Sequence, residues 1–216
     1  MARRTKEDAQ KTRELLIEAA ENVFYDKGVS KASLSDIAES AGVTRGAIYW
    51  HFKNKHDVFE AMIERLKTPL ELLHDAIEHP DEPDPLGRFR ELLIYLTQQI
   101  ARDPRRRRVY EIVFLKCELT DANEPLGSKH RQAFLDGSDR MRRALENALK
   151  RDQLPRDINI EQAIVQLHVQ LTGLIYLWLL LPDTFEFERE AARTIDTYFY
   201  SLQHCFGQAD ATTCKP

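Results

Sequence analysis

The chain has 216 residues, 43% hydrophobic and 31% charged, with a net charge of −4. That length buries a sizeable core without disulfides or a structural metal, and that composition excludes a disordered chain. The charge is divided, +2 over residues 1–55 and −6 over residues 56–216, which directs a polyanionic partner to the N-terminal end.

The predicted elements are all helices. Gly and Pro are scarce, at 8 and 9 copies, and no segment alternates apolar and polar residues as a strand does. The start, MARRTKEDAQKTRE, is basic but has no apolar run of the secretory kind. Arg13–Lys27 is predicted helical from the stripe Leu15, Ile17, Ala19, Ala20, Val23 and Phe24, with Gly28 as its stop. Ser33 or Ser35 caps a short helix carrying Ile37, Ala38 and Ala41 inward, and Gly42 makes the turn that ends it. Thr44 caps a second short helix through about Phe52, and Asn54 caps a third running from Lys55 toward His79.

Beyond the loop HPDEPDP, Asp84–Pro85 and Asp103–Pro104 are start signals, a cap followed by proline at the first helical position. They open helices toward Arg102 and Thr120. Further helices are predicted at Lys129–Arg151, Asn159–Leu181 and Glu186–Phe206, making about nine in all. The segment Ile164–Leu181 is apolar enough to suggest a membrane span. It carries Gln166, His168, Gln170 and Thr172, has no basic flank and is short for crossing roughly 30 Å of hydrocarbon. A helix covered by protein is expected, with no membrane partner.

Two short helices joined by a glycine turn form a helix-turn-helix, whose second helix enters the major groove. In Arg45–Phe52, Ile48 and Phe52 share a face and dock onto Leu34, Ile37 and Ala38. That leaves Thr44, Arg45, Gly46, Tyr49, Trp50 and His51 outward. Arginine bonds a guanine edge or a phosphate, glycine permits close approach, and a tyrosine hydroxyl bonds phosphate. Lys53 and Lys55 stand at the start of the next helix, whose amides attract phosphate. Arg3, Arg4 and Lys6 are read as a charged arm. The run Arg105–Arg108 opens a helix, where positive charge is unfavourable, so acidic neighbours are expected for it.

Catalytic chemistry finds no support. The seven histidines are scattered, and neither HExxH nor GxSxG occurs. The three cysteines, Cys117, Cys205 and Cys214, are widely spaced and odd in number, which suits a reducing cytoplasm and suggests no metal site. No cofactor is expected.

The stretch LSDIAESAGVTRGAIYWHFKNKHDVFEAM resembles the DNA-binding domain of TetR-family transcriptional regulators. TRGAIYWHFKNK, the N-terminal MARRTKEDAQKTRE, FLKCELTD and GLIYLWLLLPDTFEF are similar to the branch that represses multidrug efflux pumps. The resemblance implies an all-α homodimer, with a helix-turn-helix domain over residues 1–55 and a ligand-binding and dimerisation domain over 56–216. It implies DNA contacts from Ser33, Thr44, Arg45, Gly46, Tyr49, Trp50, His51 and Lys55. It also implies an effector site lined by Leu66, Leu93, Leu96, Tyr110, Val113, Phe114, Met141, His168, Leu171 and Thr172. The last two helices are expected to form the subunit interface. The implied function is a repressor released from a palindromic operator by a hydrophobic or aromatic effector. The alternative is a regulator of the same type serving catabolic, lipid or signalling genes.

Overall fold

The computed structural model describes residues 2–65, 81–118 and 124–204, and among these every regular element is helical. They form two compact units built from discontinuous segments. One comprises residues 1–70 and 103–131, the other residues 71–102 and 132–216.

The first unit contains α1 (Ala2–Lys27), α2 (Leu34–Ser40), α3 (Arg45–His51), α4 (residues 55–65 of the described chain) and α6 (Pro104–Glu111). Its core joins Leu16, Ile17 and Phe24 of α1 to Ile37, Ile48 and Met62, all fully buried, with Val109 and Ile112 closing it from the α6 side. Phe24 meets Phe59 edge to face, ring centroids 5.9 Å apart. Two glycines make turns that a side chain would strain: Gly28 at φ +78° ends α1, and Gly42 at φ +65° separates α2 from α3.

The second unit contains α5 (Pro85–Arg102), most of α7 (Glu124–Lys150), α8 (Ile160–Leu180) and α9 (Phe187–His204). Asp84 holds the start of α5, accepting the Gly87 amide at 2.9 Å and the Gln153 side-chain amide at 2.6 Å. Those bonds hold its carboxyl below the usual aspartate value. Phe89 packs edge to face on Phe199, and the buried Tyr198 hydroxyl donates to the Ala163 carbonyl at 3.0 Å. Arg90 with Asp196 and Arg102 with Glu188 tie α5 to α9 at the surface.

Three boundaries differ from the sequence reading. Helix α1 begins at Ala2, so Arg3, Arg4 and Lys6 are helical and form no extended arm. Helix α6 stops at Glu111 and continues only as a π-helical turn, Ile112–Lys116, instead of running to Thr120, which itself lies outside the described residues. Helix α7 starts at Glu124, ahead of the expected Lys129.

Candidate nucleic-acid interface

The second short helix is fixed from beneath. Ile48 is fully buried and Phe52 is 4% exposed, and both belong to the cluster that contains Leu34, Ile37 and Ala38. Thr44 caps α3 through its hydroxyl, which accepts the Ala47 amide at 3.2 Å. The rest of the helix faces solvent. Thr44, Arg45 and Gly46 are exposed, Tyr49 is 48% exposed and Trp50 is 73% exposed. A tryptophan that open is not part of a core. The Arg45 guanidinium lies 5.8 Å from the Tyr49 ring centroid, one helical turn on, which holds both side chains on one face.

His51 is half-buried, its ring edge-on to Trp50 at 4.6 Å. Burial, and then the positive charge of Arg13, push its imidazole below the usual histidine value. Arg13 also lies over the Phe52 ring at 5.3 Å, so the end of α3 rests on α1 through a cation. That arginine was not singled out from the sequence, where it reads as one more charge in a polar stretch.

Ser33 and Lys55 serve the fold. Ser33 is exposed, but its hydroxyl accepts the Asp36 amide at 3.1 Å and donates to the Asp36 carboxylate at 2.6 Å. Asp36 in turn accepts the Ser33 amide, completing a capping box. Lys27 donates to the other oxygen at 2.6 Å, and the combined donors hold Asp36 down to about 2. Lys55 turns inward: its ammonium donates to the carbonyls of Val29, Ser30 and Ala32 at 2.8, 2.7 and 3.4 Å. The amides expected to draw phosphate at the start of α4 are also partly used. Asp57 accepts from the Lys53 amide at 3.0 Å, and Asn54 accepts from the Asp57 amide at 2.9 Å.

Three arginines of the α6 run find the acidic partners expected for them. Arg105 donates to Glu21 at 3.0 and 3.1 Å and approaches Glu18 at 3.4 Å. Arg106 pairs with Asp103, and Arg107 with Glu111. Arg108 donates to Asn22 and lies over the Tyr25 ring.

The residues implied for an effector site divide between the units. Tyr110, Val113 and Phe114 belong to the unit that carries α3; Tyr110 stacks on Phe114 with centroids 6.1 Å apart, and Val113 packs on that unit's core. Burial pushes the Tyr110 hydroxyl up. Leu93, Leu96, Met141, His168, Leu171 and Thr172 belong to the other unit. There Leu93 is a core side chain, with Leu96, Met141 and Leu171 half-buried against the same cluster. Leu66 lies outside the described residues. His168 has a partner the sequence did not indicate, the Ser138 hydroxyl at 3.0 Å. Thirty positions separate the two residues, which leaves no pattern to read.

Comparison with known proteins agrees with this arrangement. Residues 16–62 match the model of bacterial regulatory proteins of the tetR family, and residues 84–204 match the C-terminal region of MAATS-type transcriptional repressors. The chain belongs to the TetR family of transcriptional regulators. The HTH-type transcriptional regulator TtgR of Pseudomonas putida is 45% identical over 197 residues, spanning 91% of this chain and 94% of TtgR. The crystal structure of NalD, the secondary repressor of the MexAB-OprM multidrug efflux pump in Pseudomonas aeruginosa, superimposes with a TM-score of 0.82. It is 30% identical and covers 92% of this chain and 99% of NalD. The triclosan complex of SmeT, the repressor of the Stenotrophomonas maltophilia efflux pump SmeDEF, gives a TM-score of 0.82 at 29% identity, covering 95% and 98% of the two chains. The segment matching the tetR-family regulatory model, residues 16–62, contains both α2 and α3.

Proposed function

We propose that this protein is a cytoplasmic repressor of a multidrug efflux operon, binding a palindromic operator as a homodimer and leaving it when a hydrophobic aromatic effector enters the unit built on α5 and α7–α9. The observation that carries the DNA reading is the exposed set Thr44, Arg45, Gly46, Tyr49 and Trp50 on a helix anchored from beneath by the buried Ile48 and Phe52. Arg45 and Tyr49 are the base-edge and phosphate candidates, Trp50 and His51 flank them, and Gly46 lets the helix approach the duplex closely. Ser33 and Lys55 contribute by holding α2 and the turn before it. Efflux control is supported by the relatives, which are repressors of such pumps in the two solved structures.

The outward face of α8 supports the dimer. Val165, Val169, Tyr176 and Leu180 stand at helical spacing and are 58%, 62%, 40% and 47% exposed. Two reader helices held by such a pair must both fit the groove, one half-site each. An effector that favours the spacing unsuited to DNA shifts the population off the operator, with coupling of roughly 1–3 kcal/mol.

Fluorescence anisotropy of a labelled palindromic fragment from the adjacent upstream region tests this. Saturable binding lost on titration with aromatic drugs is expected. Binding that no such compound weakens at saturating dose overturns effector control, and equal affinity for unrelated DNA overturns operator specificity.

A further inference from the structure

Arg13 sits where α1 leaves the core. Leu16, Ile17 and Ala20, three, four and seven positions on, share its face and are fully buried. Before it, residues 6–11 are exposed except for the half-buried Ala9, so this part of the helix serves no core. Gln10 and Lys6, three and seven positions earlier, continue the Arg13 face toward the N-terminus. Glu7 and Lys11 pair with each other away from it, Lys11 standing about 200° round the helix from Arg13.

The Arg13 guanidinium stands at the end of α3. It lies over the Phe52 ring, 5.3 Å from the centroid. After burial, its charge is the cause that lowers the neighbouring His51 imidazole below the usual histidine value. His51 in turn meets Trp50, whose exposed indole belongs to the outward surface of α3. A ring offers a guanidinium no lone pair, so the five N–H donors of Arg13 stay unspent there. Among the described residues none accepts from them. The neighbouring Glu14 carboxylate stays 3.9 Å away and is already held by Gln10 at 2.8 Å and by Arg65. The Arg13 side chain is 38% exposed, within reach of a docked polyanion.

We propose that Arg13 is a further DNA-binding residue, a phosphate contact that carries the interface from α3 onto α1. This rests on the DNA reading proposed above. Phe52 positions the guanidinium from beneath, and His51 and Trp50 border it on α3. Lys6 adds a second cation about 10 Å back along the same face. A fork of five donors on a delocalised charge suits a phosphate, and a backbone contact fixes register without reading sequence. One half-site is thus gripped from two helices: α3 meets the bases and α1 holds the strand beside them.

The test is affinity against salt for the full-length protein, read by anisotropy of the labelled palindromic upstream fragment and of a random duplex of the same length. Arg13→Met keeps the stem over Phe52 and removes the charge. It should bind about tenfold more weakly at low salt, with the slope of log affinity against log salt reduced by about 1. The ratio of operator to random-duplex affinity should be unchanged, because a phosphate carries no sequence. Arg13→Gln, which keeps a polar end without the charge, should give the same reduced slope, and Arg13→Lys should recover the parent's. Lys11→Met, the same charge change on the far side of the helix, should also keep the parent's slope. Weaker binding at unchanged slope in Arg13→Met or Arg13→Gln, or a slope that Arg13→Lys does not recover, makes Arg13 a packing residue; it overturns the proposal and leaves the DNA reading standing. An equal loss of slope in Lys11→Met overturns it too, since any lost charge would then suffice. A parent that binds neither duplex overturns the DNA reading and this contact together.

Discussion

A methyl group placed on Gly46 would meet nothing nearer than the Thr44 hydroxyl, at 3.9 Å. The fold therefore has room for alanine there, and glycine inside a helix is destabilising by roughly 0.5–1 kcal/mol relative to alanine. A glycine that the fold does not sterically need fits the proposed close approach of a duplex to α3. Gly46→Ala should raise the melting temperature slightly and lower operator affinity; a variant that binds operator as well as the parent contradicts the placement of α3 in the groove. The two lysines nearby separate by the same reasoning. Lys53 is exposed, whereas Lys55 holds three carbonyls. Lys55→Met should destabilise the protein by about 1–3 kcal/mol in urea unfolding, because carbonyls lose their donor. Its slope of log affinity against log salt should match the parent's. Lys53→Met should leave stability unchanged and reduce that slope by about 1, the signature of one lost phosphate contact.

Helix α6 is joined to α1 by charge as well as by its apolar face. Glu21 has a side chain 7% exposed and is held by Arg105 at 3.0 Å and by Arg65 at 3.2 Å. Arg65 also pairs with Glu14, so three helices of the reader unit meet at one carboxylate. Because Arg105 is 43% exposed, its own share is modest, but loss of the carboxylate leaves two guanidiniums without their common partner. Glu21→Ala should cost about 2–4 kcal/mol and Arg105→Ala clearly less, with the double variant close to Glu21→Ala alone. Chemical denaturation of the three proteins reads this directly, and additive losses would show that the groups act independently. This network also marks the limit of sequence reading. Thr44, Asp103–Pro104 and Asn159 were legible as helix starts because a cap acts over three residues. The start of α1 was not, since residues 2–12 lack an apolar stripe and are supported by polar pairs such as Glu7–Lys11 and Gln10–Glu14. The end of α6 was not either. There the Val29 amide donates to the Lys116 carbonyl at 3.0 Å, and Lys116 lies over the Tyr25 ring, pairings with residues far back in the chain. Outward residues of α3 could be deduced by subtracting its two apolar anchors, Ile48 and Phe52. The inward turn of Lys55 and the partner of His168 could not, because each depends on packing between distant segments.

A single copy of this chain leaves α8 with apolar residues on two sides. Ala163, Ile164, Leu167, Ile175, Trp178 and Leu179 are buried within the subunit, while Val165, Val169, Tyr176, Leu177 and Leu180 are each at least 40% exposed. The helix is long and apolar enough to cross a membrane, yet the buried side packs on α9 and is fixed there by Tyr198 and by the stacking of Trp178 on Phe187. Under the function proposed above, a second subunit covers this face and places two reader helices in one particle. Val169 is the residue to test, at 62% exposure and within the outward stripe. Val169→Glu adds no burden to the folded subunit, whose surface it already occupies, but it would put two carboxylates near a two-fold axis. Light scattering should show a dimer for the parent and a monomer for the variant, with unchanged helical content by circular dichroism. Separating the half-site readers removes their high effective concentration for each other, so operator affinity should fall by roughly 10²–10⁴, while binding to an isolated half-site stays near the parent's per-site value. A parent that is monomeric at micromolar concentration, or a monomeric variant that holds the full operator undiminished, would show that the palindrome is not read by a pair built on α8.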